Sequence, residues 1–203
     1  MNGVDTDTFI PSDPIDEPVV LFVGKIAPHK GPHLLVRAAR QLFDEGLRFR
    51  VRFVGSALLS TTDEVTEYER EIRALAAPMG DWVEFVPFVD RTAIASTYQA
   101  ASIGVVPSDW DEPCSLTAPE AMASGLACVV SSRGGLPEVC GDGAIYFESG
   151  NAADLAQRLR PLVTDAAVRA EAGARARRRA EEISWDRQYE RLDQWLTNWR
   201  PGP

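Results

Sequence analysis

Ser102-Ile-Gly-Val-Val-Pro107, Glu112-Pro-Cys-Ser-Leu-Thr-Ala-Pro-Glu120 and Leu126-Ala-Cys-Val-Val130 are the three runs whose reading decides the fold. The first and last are short, mainly apolar and rich in valine, as strands buried on both faces are. Between them, Pro119 suits the first turn of a helix because it has no N–H to leave unpaired, and Gly125 suits the end of one. Thr117 is placed to cap that helix, and Thr117-x-x-Glu120 has the spacing of a capping box. The order is therefore strand, loop, helix, strand. In an open parallel sheet, ligands bind at the loops that leave the carboxyl ends of strands. A helix start in such a loop offers an anion free N–H groups and the positive end of a dipole. Glu112 would face whatever the anion carries. Glu120 has two readings, a ligand contact or the returning hydrogen bond of the capping box.

A second strand-to-helix loop lies upstream. Val19-Val-Leu-Phe-Val23 reads as a buried strand, and Leu34, Leu35, Ala38, Ala39, Leu42 and Phe43 recur at helical spacing. The loop between them is Gly24-Lys25-Ile-Ala-Pro-His-Lys30-Gly31. The chain has 21 basic residues, and the only two lysines are Lys25 and Lys30, in this one turn. A sequence that otherwise uses arginine and keeps lysine here points to a need for compact point charges, which suit phosphate.

Working outward, strands are expected near 19–23, 49–54, 82–86, 102–106, 127–131 and 144–147. Helices are expected near 31–45, 64–77, 91–100, 118–124 and 135–140, then at 153–163, 166–182 and 185–199. This alternation predicts an α/β, Rossmann-like parallel sheet of about six strands flanked by helices, with a C-terminal helical segment. Trp185, Tyr189, Leu192, Trp195 and Trp199 form a stripe on the last helix that periodicity assigns to core.

With both loops in view, the chain resembles the carboxyl-terminal, donor-binding half of a retaining GT-B glycosyltransferase of the family-four (group 1) type. The matching runs are Asn2-Gly-Val-Asp5 with Phe9, Phe22-Val-Gly-Lys25 with Lys30-Gly31, Phe53-Val-Gly55 and Val83-Glu-Phe85-Val-Pro87. They continue with Val106-Pro-Ser108, the two-glutamate motif, Glu120-Ala-Met-Ala-Ser-Gly125 and Gly134-Gly-Leu-Pro-Glu138. The resemblance implies that a nucleoside-diphosphate sugar is the donor substrate and that no separate cofactor is needed. Lys25 and Lys30 would hold its diphosphate and stabilise the leaving group, and Glu112 would contact the transferred sugar. Backbone N–H groups of Cys114, Ser115, Leu116 and Thr117 would line sugar and phosphates. Glu120 would bind the ribose, the main chain near Phe85, Val86 and Pro87 would meet the base, and Gly24 and Gly55 would border the site. Three positions depart from the family pattern: Ser115, Ser56-Ala57 and Pro87 stand where glycine is usual, which narrows backbone freedom there.

The same resemblance divides the chain into an interdomain linker over 1–18, a nucleotide-sugar-binding domain over 19–150 and helices over 151–203 that complete it; it implies that the last helix reaches back toward a partner domain, leaving part of its aromatic stripe exposed here. It implies an acceptor-binding domain outside these 203 residues, so that this piece binds donor and transfers little. A different class of function, a nucleotide-binding regulatory module or half of a nucleotide-sugar epimerase, shares the architecture but generally lacks the combined lysine pair and two-glutamate motif.

Composition sets the remaining expectations. A net charge of -9 argues against nucleic acid as a partner. No apolar run approaches the roughly 20 residues of a membrane span, and the polar, acidic first residues are unlike a signal peptide. The three cysteines (Cys114, Cys128, Cys140) are odd in number and lack metal-ligand spacing, which fits a reduced, cytoplasmic compartment. Arg175-Ala-Arg-Arg-Arg179 reads as a solvated helix face, with contact to a membrane carrying a lipid-bound acceptor as the alternative. Asp109-Trp-Asp111 spells a metal-binding pair of a different glycosyltransferase fold, but beside two lysines and a helix start no metal is expected. His29 and His33 are read as a loop side chain near phosphate and an ordinary helix residue.

Overall fold

The computed structural model describes residues 3–13, 15–56 and 65–198. Asn2, Ala57 and Trp199, named above, lie outside the described residues. Each apolar run is a strand: β1 Val19–Val23, β2 Arg50–Val54, β3 Val83–Val86, β4 Ile103–Val106, β5 Ala127–Ser131 and β6 Ala144–Phe147. They form one parallel sheet in the order β3-β2-β1-β4-β5-β6. The direction of progression reverses between β1 and β4. That reversal opens a crevice at their carboxyl ends, the place where doubly wound sheets bind ligands.

The connecting helices are α1 Pro32–Asp44, α2 Glu67–Ala76, α3 Ile94–Gln99, α4 Thr117–Ala123 and α5 Leu136–Cys140, followed by α6 Ala152–Thr164, α7 Ala166–Glu182 and α8 Trp185–Asn198. Side chains alternate across each strand, so the sheet separates two apolar clusters. Val20 and Phe22 join α1, α2 and α6 on one face. Leu21, with Val19, joins α3, α4, α5 and α7 on the other. The helices after residue 150 are integral to this. Leu155, Leu159 and Leu162 of α6 are fully buried, each contributing roughly 1.5–3 kcal/mol of burial. The expected helix over 91–100 begins later, at Ile94. Asp90 holds a turn there first, its carboxylate accepting from the Thr92 N–H at 2.9 Å and its carbonyl from Ala93.

Two expectations are corrected on the outside of the molecule. The aromatic stripe of α8 is not core: Trp185, Tyr189, Leu192 and Trp195 are all exposed, Trp195 by 60%. Periodicity reports that a helix is two-faced and not what covers its apolar face. The arginine run on α7 is only partly solvated. One Arg177 nitrogen (NH1) donates to the carbonyls of Phe9 and Ala123 at 2.8 and 2.7 Å, and Arg179 donates to those of Val139 and Glu138 at 3.1 and 3.0 Å. These two guanidinium groups tie the segment before β1, and the end of α5, onto α7. Val4 completes the attachment, its N–H and carbonyl bonding to Ile183 and Trp185.

Candidate functional site

The crevice is built from the loops after β1 and β4. A short 3-10 turn, Pro28–Lys30, precedes α1, and Gly31 links them with φ 69°. A Cβ at Gly31 would overlap the Pro107 carbonyl, so only glycine lets the first loop lie directly on the end of β4. The Asp109 N–H then donates to the His29 carbonyl at 2.9 Å, locking the loops together.

This contact brings Lys30 to Glu112. The Nζ–Oε2 distance is 2.6 Å, and Glu112 is only 5% exposed. The same Oε2 accepts from the Trp110 indole N–H at 3.0 Å and the Ser108 hydroxyl at 3.1 Å. The Lys30 ammonium also lies 5.4 Å from the Trp110 ring centroid, within cation–π range. Lys25 is exposed on the same loop and makes no ion pair among the described residues. From the far side, Gly134 braces the acid: it has φ 61°, a Cβ there would overlap the Glu112 main chain, and the Gly135 N–H donates to the Glu112 carbonyl at 2.7 Å.

Burial pushes the Glu112 carboxyl up, but the Lys30 hydrogen bond and charge, then the Trp110 and Ser108 donors, outweigh it and hold the group below its ordinary 4.5. A carboxyl depressed in the folded state adds stability that is complete above the unfolded value and fades as pH falls through the folded one. Glu120 runs the other way. Burial raises its carboxyl above 4.5, only partly offset by the Tyr98 hydroxyl and the Arg91 charge, so it favours the fold as acidity increases. The wild-type chain is therefore expected to lose stability below about pH 4.5 through Glu112, and the Glu112→Gln variant to lack that part of the decline. Denaturant titrations across pH 3–6 check this, and parallel curves would contradict it.

Glu120 does not complete a capping box. Its Oε2 accepts from Tyr98 at 3.0 Å, inside the molecule. Thr117 is not the cap either: it is the first residue of α4, and the Ser115 hydroxyl accepts the Ala118 N–H at 3.2 Å. Ser115, which stands where the family pattern has glycine, thus turns its side chain into the helix start. Ser115→Ala is expected to cost about 1 kcal/mol in a denaturant melt, and Thr117→Ala much less. The reverse order would restore Thr117 as the cap. The N–H groups of Cys114, Ser115 and Leu116 donate to no acceptor among the described residues.

Beside this loop lies a largely apolar cleft of about 400 Å³. Gly24, Gly55, Leu116, Thr117 and Glu120 line it, as do Phe88, Val89 and Arg91. In the run whose main chain is expected at the base, the half-buried Phe85 side chain stacks on Phe53 at 4.9 Å against the core, and Pro87 is exposed. His29 and Trp110 meet in a T-shaped contact with ring centroids 5.3 Å apart, and His33 shares a 2.8 Å hydrogen bond with Tyr68. Both carboxylates of Asp109-Trp-Asp111 face Arg133, at 3.5 and 3.0 Å. Trp110, Ser108, Arg91 and Arg133 were not singled out as site residues by the sequence reading. The signal for Trp110 was its place in the two-glutamate loop, obscured by the two aspartates around it.

Residues 5–179 match the family described as glycosyl transferases group 1. The chain belongs to this family. Among its group 1 relatives, spore coat protein SA of Bacillus subtilis (strain 168) is 34% identical, over 86% of this chain and 47% of that protein. A D-inositol 3-phosphate glycosyltransferase of Streptomyces avermitilis is 34% identical, over 91% of this chain and 43% of that protein. The chain thus spans less than half the length of these relatives. Sucrose-phosphate synthase from Thermosynechococcus elongatus superposes with a TM-score of 0.80 at 29% identity, over 97% of this chain and 51% of that one. Anabaena HepE, solved with UDP and glucose, superposes with a TM-score of 0.79 at 21% identity, over 98% and 56%. The fold is one Rossmann-like half of a GT-B glycosyltransferase.

Proposed function

We propose that this chain binds a nucleoside-diphosphate sugar at the β1–β4 crevice. We further propose that it serves as the donor half of a glycosyltransferase moving a hexose to a hydroxyl acceptor with retained anomeric configuration. The observation that carries the reading is the Lys30–Glu112 pair, fixed at 2.6 Å at the reversal point of the sheet. An ammonium group has three N–H donors. With one directed to Glu112, the others are free to meet phosphate, and the ion pair holds them in place before the ligand arrives. Lys25, on the same loop, adds a second charge, and the Cys114, Ser115 and Leu116 amides add neutral donors. Together they would stabilise the departing nucleoside diphosphate, where one preorganised donor is typically worth about 3 kcal/mol of barrier.

The apolar cleft accommodates the nucleoside, with Glu120 as acceptor for ribose hydroxyls and Arg91 at its rim. Glu112, bracketed by Lys30 and Trp110, would address the sugar attached to the phosphate. Retention, and an acceptor-binding domain outside these residues with the segment over 1–18 as the link to it, rest on the resemblance to retaining GT-B enzymes. Rapid transfer to an added alcohol by these 203 residues alone would contradict the latter.

Calorimetric titration with UDP-, GDP- and ADP-glucose tests the reading. Saturable binding of one nucleotide series is expected, and no heat from any of the three, in a folded chain, would sink it.

A further inference from the structure

The geometry points to Trp110 as the positioning residue of the Lys30–Glu112 pair, acting on the acid through its indole N–H and on the ammonium through its ring face. Of the three groups that donate to Glu112 Oε2, Ser108 is placed to help only the acid. Trp110 alone among the described residues contacts both partners, at 3.0 Å to the carboxylate and 5.4 Å to the ammonium. A tight turn returns it to that place: the Glu112 N–H donates to the Trp110 carbonyl at 2.8 Å, so the indole folds back over the residue two positions on.

The turn is anchored from outside. Arg133, at the end of β5, reaches both neighbours of Trp110, and the Ser149 hydroxyl donates to Asp109 at 3.1 Å. Trp110 is 37% exposed and belongs to neither apolar cluster, whereas buried tryptophans are ordinarily held by apolar contacts on all sides. The indole meets Lys30, Glu112 and the ring of His29. A ring that supplies one directed donor and one π face fixes two opposite charges relative to each other, which neither a hydroxyl nor an aliphatic side chain does. Lys30 would otherwise sample several rotamers, and ordering it on ligand binding would cost affinity.

This assignment concerns the same site as the proposed donor reading, so the test separates the two. Carbon-detected NMR on the full chain follows the Glu112 carboxyl through a pH titration without ligand, in wild type, Trp110→Phe and Trp110→Leu. Trp110→Phe removes the N–H and keeps a π face, and the Glu112 pKa is expected to rise by about one unit. In Trp110→Leu both contacts go, and the rise is at least as large. Hydrogen-exchange protection of the Asp109 and Gly135 amides, which bond to the His29 and Glu112 carbonyls, serves as the reference for an intact loop and is expected to stay in place. Affinity for UDP, the probe, is expected to fall about 3-fold in Trp110→Phe and about 10-fold in Trp110→Leu, the phenyl ring rescuing part of the ammonium's placement. A Glu112 titration that does not move in either variant overturns the assignment. So does a Glu112 shift accompanied by loss of protection at the Asp109 and Gly135 amides, which would mean collapse of the loop. Absence of UDP binding to the wild type leaves this titration intact and counts against a uridine donor alone.

Discussion

Lys30→Ala is expected to weaken nucleoside-diphosphate binding about 100-fold and to lower stability by about 2 kcal/mol. Both effects have one cause. Glu112 is buried to within 5% of full enclosure, and Lys30 is its counter-ion. Removing the ammonium leaves a desolvated carboxylate with only the Trp110 and Ser108 donors. The acid then regains a higher pKa, because the opposing influence of burial persists while the lysine is gone. The stability loss falls below the roughly 3–5 kcal/mol of a fully buried pair because the Lys30 side chain is 28% exposed. The affinity loss has a further part, since the phosphate loses a charge-assisted donor. Isothermal titration and a denaturant melt on the same variant measure the two. Unchanged affinity would remove Lys30 from the site, even if stability fell as expected.

Gly31→Ala is expected to destabilise the chain by about 3 kcal/mol and to abolish donor binding. The residue sits at φ 69°, where a side chain is strained, and its Cβ would overlap the Pro107 carbonyl. That oxygen is main chain at the end of β4, so relief requires the β1 and β4 loops to separate. Separation would pull Lys30 from Glu112 and break the Asp109–His29 main-chain bond. Binding is therefore lost through geometry and not through charge. Thermal melts and nucleotide titration read the two effects, and an alanine variant that melts like wild type would show the loops are not interlocked here.

The strands were legible because parallel strands covered on both faces read as unbroken apolar runs, such as Val19–Val23 and Ala127–Ser131. The helices that complete the core were legible for a related reason, the spacing of Leu155, Leu159 and Leu162. The two loops that form the crevice were recognisable from their lysines and glutamates. That Lys30 would pair with Glu112 was not, because no local pattern tells which charges meet across 82 residues of separation. Trp110 was passed over since two flanking aspartates dominate its surroundings in sequence, and only the fold gives both of them to Arg133. Thr117 reads as the cap because its hydroxyl suits the task, but α4 begins at Thr117 itself, and the Ser115 hydroxyl meets the Ala118 N–H instead. Periodicity assigns the α8 stripe to core because it is silent on whether a neighbour exists to cover it, and the exposure follows only the expectation drawn from the resemblance.

The central claim is that the β1–β4 crevice grips a diphosphate with Lys25, Lys30 and the amides of the β4 loop. A crystal structure of the chain with a bound nucleoside-diphosphate sugar tests it most directly. Phosphate oxygens are predicted within about 2.7–3.2 Å of the Lys30 Nζ, with the sugar against Glu112 and the nucleoside in the cleft beside Glu120. A ligand seated elsewhere, with both ammonium groups turned to solvent, would contradict the account.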